Sequence, residues 1–99
     1  MPSFVDEIVA AAKNDDTIRE LYLFGSYARG ESTIFSDLDI AIIHGDVNAV
    51  NRIALNNATA HTDVDVQFTY IQAETFDTDD HPLHVSSSVK REGVLLWRR

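Results

Sequence analysis

Two aspartates, Asp37 and Asp39, stand two positions apart at the head of an apolar run, Ser36-Asp37-Leu38-Asp39-Ile40-Ala41-Ile42-Ile43. Aspartate is a poor strand former, so a pair of them set into a strand-like run needs a reason beyond folding. Strand side chains alternate between faces. Both carboxylates therefore share one face, with Cα atoms roughly 6.7 Å apart at a rise of about 3.3 Å per residue. Like charges that close repel, and a bound divalent cation removes the penalty. Mg²⁺ is a hard ion that takes carboxylate oxygens and shares its shell with substrate phosphates. The spacing thus points to metal-assisted chemistry on a phosphate.

Just upstream, the apolar run Leu21-Tyr22-Leu23-Phe24 ends in Gly25-Ser26. A strand that leads through glycine into a helix start offers free backbone N–H groups to an anion. Gly25 has no Cβ to keep a phosphate away, and the Ser26 hydroxyl adds a hydrogen bond. Taken alone, the pair reads equally well as a tight turn with a helix cap. Arg29 has two readings as well. Its planar fork can clamp phosphate, or it can pair with Glu31 or Asp37 and hold the turn.

Together, Gly25-Ser26-Tyr27-Ala28-Arg29-Gly30 and Ser36-Asp37-Leu38-Asp39-Ile40 resemble the signature of the DNA polymerase beta-like nucleotidyltransferases. The similarity is greatest to the minimal nucleotidyltransferase (MNT) branch, whose pattern is Gly-Ser, a spacer ending Arg-Gly, then Ser-Asp-x-Asp and an aliphatic residue. Order, spacing and residue type all agree, which makes the match specific. The resemblance implies a mixed α/β domain over residues 1–99, with a small mixed sheet of about four strands and flanking helices. It implies transfer of AMP from ATP to a hydroxyl, with probe-independent roles for named positions: Gly25, Ser26, Arg29 and Ser36 toward the nucleotide, and Asp37 and Asp39 toward two Mg²⁺ ions. It also implies a third carboxylate on a neighbouring strand. Asp65, between Val64 and Val66, fits best, and Asp63 on the same face is the fallback. Minimal proteins of this branch are commonly encoded beside a HEPN-domain RNase, and the resemblance implies an antitoxin that adenylylates or binds that toxin. A small-molecule acceptor, a non-catalytic binding module and a nucleotide-binding subunit of a larger enzyme are the alternatives.

The remaining sequence supplies the elements that position these residues. Residues 4–13 carry apolar positions at helical spacing behind Pro2 and a capping Ser3, with Asp6 and Glu7 in the first turn. Strands are expected over residues 20–24, 38–43 and 63–70, a short helix from Ser26 to Arg29, and Ile34 and Phe35 tucked under the intervening loop. Asp46 reads as the cap of a helix over residues 47–59 with Val47, Val50 and Ile53 on its apolar face, giving a βαβ-like crossover. Residues 71–80 read as a solvated acidic loop with at most one helical turn, Pro82 as the first turn of a last helix, Gly93 as its end and residues 94–97 as a final strand. His44, His61, His81 and His84 lack metal-ligand spacing and read as surface or capping residues.

Composition bounds the function. Ninety-nine residues with 44% hydrophobic content suit one modest core. No cysteine is present, so disulfides and thiolate metal sites are excluded. The formal net charge of −8 argues against direct binding to a nucleic-acid backbone, but not against one nucleotide neutralised by Mg²⁺. No apolar run is long enough to span a membrane and no basic region precedes the N-terminal apolar stretch, so a cytoplasmic protein is expected. Apolar residues in the final strand or the first helix are candidates for homo- or hetero-oligomeric contacts.

Overall fold

The computed structural model describes residues 4–33 and 36–99. Helix α1, Phe4–Lys13, has acidic residues in its first turn and Lys13 in its last, the arrangement that suits the helix dipole. Val5, Ile8 and Ala12 form its buried stripe. Strand β1 follows as Ile18–Phe24, β2 as Leu38–His44, helix α2 as Arg52–Ala58 and β3 as Val66–Gln72. Helices α3, Ala73–Thr78, and α4, Val85–Glu92, lead to the last strand β4, Val94–Arg98.

The sheet order is β3-β2-β1-β4. Strand β1 runs antiparallel to both β2 and β4, while β2 and β3 are parallel. A parallel pair needs a crossover connection, and α2 provides it. The sheet is therefore mixed and four-stranded, as the resemblance implies. Strand β2 is covered on both faces. Leu38, Ile40 and Ile42 join Leu21, Leu23, Ile8 and Leu55 beneath α1 and α2. Ala41 and Ile43 join Ile71, Phe76 and Val89 beneath α3 and α4. Two-sided burial explains why β2 is nearly continuous in aliphatic residues after Asp39.

Several elements depart from the sequence expectations. The single helix expected over residues 47–59 is split. Asp46 caps only a 3₁₀ turn, Val47–Ala49, by accepting from Asn48 N at 3.0 Å. Val50 is then extended and buried, and Asn51 caps α2 by accepting from Ala54 N at 3.1 Å. This second cap turns the helix so that Leu55 is buried and Ile53 is 74% exposed. Strand β3 starts and ends later than residues 63–70, because Ile71 and Gln72 continue the pairing with Ile43 and His44. The acidic stretch that follows is helical through α3, since Phe76 anchors it to the second core. Pro82 lies in the turn before α4, and Leu83 is 87% exposed. His44 is 3% exposed, a core residue and not a surface one. Capping by Ser3 and the placement of Ile34 and Phe35 lie outside the described residues. Among the described residues, no helix is long and apolar enough to cross a membrane.

Candidate active site

The site forms where β1 ends and β2 begins. Antiparallel register sets Phe24 opposite Asp39, so Gly25 opens its turn directly beside that carboxylate. Gly25 has φ +76°, in the left-handed region. A Cβ there would run into the Asp39 carboxylate, with Asp39 Cγ 3.2 Å away. Glycine is thus required at this position twice, for backbone conformation and for space.

Residues 26–30 form successive turns and not the short helix expected from Ser26 to Arg29. Arg29 N donates to Gly25 O at 3.2 Å, Gly30 N to Tyr27 O at 3.2 Å and Glu31 N to Ser26 O at 2.9 Å. Gly30, with φ +73°, ends the run. Positive φ at both ends keeps helical geometry from propagating. The turn still wraps tightly behind Gly25 and Ser26, next to Asp39.

Asp37 is exposed and Asp39 half-buried. Burial raises the pKa of Asp39, the neighbouring Asp37 charge raises it further, and Arg29 opposes both. The alternation expected of β2 holds: Asp39 shares a face with Ala41 and Ile43, while Leu38, Ile40 and Ile42 line the other. Parallel register pairs Leu38 with Val66 and Asp39 with Gln67. Leu38 N donates to Asp65 O at 2.8 Å. Asp65 thus lies level with the head of β2, just ahead of the strand proper, which begins at Val66. Asp63 and Asp65 are exposed, with Val64 and Val66 half-buried between and after them. Among the described residues, no three His, Cys, Asp or Glu side chains converge on a cation position.

Ser36 and Arg29 are both occupied within the protein. Ser36 Oγ accepts from Thr33 N at 2.9 Å and Ser36 N donates to Thr33 O at 3.1 Å, which fixes the approach to Asp37. Arg29 pairs with Glu31 Oε2 at 3.3 Å and with Glu92 Oε1 at 3.0 Å. Glu31 was one of its two expected partners. Glu92, at the end of α4, carries no local signal in the sequence, where it reads as an ordinary charge in a helix terminus 63 residues away.

The arrangement sets a turn stripped of Cβ at its closest point beside the Asp37–Asp39 carboxylate pair, with Asp65 just ahead of the neighbouring strand. Comparison with known proteins bears on the family and the fold. The family model for polymerase beta nucleotidyltransferases matches residues 6–99. No curated protein matches the chain. A chain of a toxin–antitoxin complex with AMP-PNP superposes with a TM-score of 0.67 at 23% identity, covering 96% of this chain and 73% of that one. A chain of a variant MntA–HpeT toxin–antitoxin complex gives 0.68 at 20% identity, with 96% and 73% covered. A third, from the complex of tri-AMPylated Shewanella oneidensis HEPN toxin with MNT antitoxin, gives 0.61 at 20% identity, with 97% and 71% covered. At these identities the likeness establishes the fold. With a family match across nearly the whole chain, this chain belongs to the polymerase beta nucleotidyltransferase family.

Proposed function

We propose that the chain transfers AMP from ATP to a hydroxyl of a HEPN-domain toxin and acts as its antitoxin. The observation that carries this is the close approach of Gly25 to Asp39, which sets a glycine turn beside a carboxylate pair. The AMP-PNP of one structural relative and the AMPylated HEPN toxin bound to another support the choice of nucleotide and acceptor.

The donor set fits Mg²⁺. Asp37 and Asp39 at the head of β2, and Asp65 just ahead of β3, offer hard carboxylate oxygens that a bound ion would draw together. Burial, and after it the Asp37 charge, raises the pKa of Asp39, and a bound divalent cation would favour the ionised carboxylate against both. When bound, Mg²⁺, as two ions, supplies neutralisation of phosphate charge and polarisation of the acceptor hydroxyl. The chain's own residues do the rest. Backbone N–H groups of the Gly25–Ser26 turn and the Ser26 hydroxyl bind the β- and γ-phosphates and leave the α-phosphorus exposed. Asp65, exposed just ahead of β3, takes the acceptor proton. The acceptor oxygen bonds to the α-phosphorus, the bond from that phosphorus to the bridging oxygen breaks, and pyrophosphate leaves. Most of the acceleration then comes from alignment and electrostatics, with no protein nucleophile.

The test mixes the chain with Mg²⁺, ATP and its HEPN-domain partner and records intact masses, with an Asp37→Asn, Asp39→Asn double variant alongside. A gain of one or more AMP units on the partner, absent with the variant, is expected. A stable complex without any gain overturns catalysis in favour of a binding antitoxin. Transfer to free hydroxyl compounds without the partner points instead to a small-molecule acceptor.

A further inference from the structure

The Arg29 guanidinium is held at two points, and the two partners differ in what stands behind them. Glu31 is exposed and belongs to the same loop, so its bond to Nε fixes nothing outside that loop. Glu92 closes α4, and that end of α4 is seated on the sheet. Val89 is fully buried, and Gly93 N donates to Val89 O at 2.8 Å. Gly93 lies so close over β1 that a Cβ would sit 3.3 Å from Tyr22 Cδ1. The bond from Arg29 Nη1 to Glu92 Oε1 at 3.0 Å therefore ties the loop to a fixed element. The loop needs such a tie. Residues 26–30 form no regular element, and Gly25 and Gly30, which lack a Cβ, leave the backbone freer to rotate there than other residues would.

We infer that Glu92 is a positioning residue: through Arg29 it holds the Gly25–Ser26 turn against Asp39, and Arg29 serves as a strut and not as a phosphate ligand. The placement of the turn follows from the fold alone. Its effect on nucleotide affinity rests on the proposed function.

The experiment has two readouts on the full chain. One is amide hydrogen exchange at Arg29 and Glu31, whose N–H groups close the turn onto Gly25 O and Ser26 O. The other is the dissociation constant for Mg²⁺ with AMP-PNP. Variants are Glu92→Ala, Arg29→Ala, the two combined, and the swap Arg29→Glu with Glu92→Arg. Each single variant is expected to speed exchange at these amides by about two- to fivefold, the span an exposed ion pair supplies. Core amides of β2 should stay unchanged, which separates a local effect from loss of global stability. The double variant should be no worse than either single, and the swap should restore protection. Affinity for AMP-PNP should weaken and recover in step. Unchanged exchange in Glu92→Ala overturns the strut. A swap that restores protection but binds as weakly as Arg29→Ala overturns the exclusion of Arg29 from the phosphates. If the wild-type chain binds no nucleotide, the proposed function falls and exchange still decides the strut.

Discussion

Gly25 and Gly30 form a matched pair that isolates the contact on which the site depends. Both have positive φ, +76° and +73°. In either, alanine costs ~1–2 kcal/mol for the left-handed backbone, less about 0.4–1 kcal/mol recovered by stiffening the unfolded chain. A net loss of about 1 kcal/mol is expected for each, a drop in Tm of roughly 4–8 °C in a domain of this size. There the likeness ends. A Cβ on Gly30 meets nothing within 4 Å, whereas on Gly25 it collides with the Asp39 carboxylate. The carboxylate or the turn must then shift by about 1 Å, a displacement that costs on the order of 10²-fold in a reaction governed by alignment. Gly30→Ala should therefore keep its rate and Gly25→Ala should lose about two orders of magnitude, with a melting temperature below that of Gly30→Ala by the cost of the shift. Thermal melts and single-turnover transfer of AMP to the partner provide the comparison. Equal rates in the two variants would refute the reasoning, because the Asp39 contact is the only difference it invokes.

Three further outcomes are expected. Because burial and Asp37 raise the pKa of Asp39, its ionised form opposes folding above the ordinary carboxylate range, so Asp39→Asn should raise Tm in the absence of metal while abolishing transfer; a lower Tm would contradict this. His44 is buried with Nδ1 unpartnered, and burial lowers its pKa, helped by Arg52 and opposed by Asp46. The unfolded chain takes up this proton first, so stability should be full above about pH 6.5 and fall on acidification, and His44→Leu should flatten urea-unfolding stability across that window. Arg99 donates to the carbonyls of Ile18, Ala12 and Asp15 at 3.1, 2.9 and 2.8 Å, clasping the end of α1, so Arg99→Ala should cost about 1–3 kcal/mol by chemical denaturation.

The strands of the site were legible because their signals are local. Two aspartates in an aliphatic run, and a glycine closing another, define a face and an end without help from tertiary structure. The alternation of residues 63–68 was legible too, and the burial pattern follows it even though regular pairing begins only at Val66. The helices fared less well. Asp46 is a sound cap, but Asn51 is a second one five residues later, and the choice between them is made by burial of Val50 and Leu55. The acidic stretch of residues 71–80 reads as solvated, and it is the packing of Phe76 into the second core, 5.4 Å from Tyr22 between ring centroids, that holds residues 73–78 as a helix. Glu92 could not be found at all, since its importance comes from Arg29, 63 residues away.

The pairing of β4 with β1 has a kinetic consequence. Trp97 faces Leu21 across 76 residues of sequence (97 minus 21), whereas β1 and β2, which carry the site, are joined by the 13 residues 25–37. Loop-closure entropy alone makes the longer connection costlier by about 1.5 kcal/mol. The hairpin that brings Gly25 to Asp39 can thus form while the last strand is still undocked. The chain's single tryptophan sits on that late strand. Its fluorescence is a clock for completion of the sheet, and a refolding experiment that watches it alone will date the site too late.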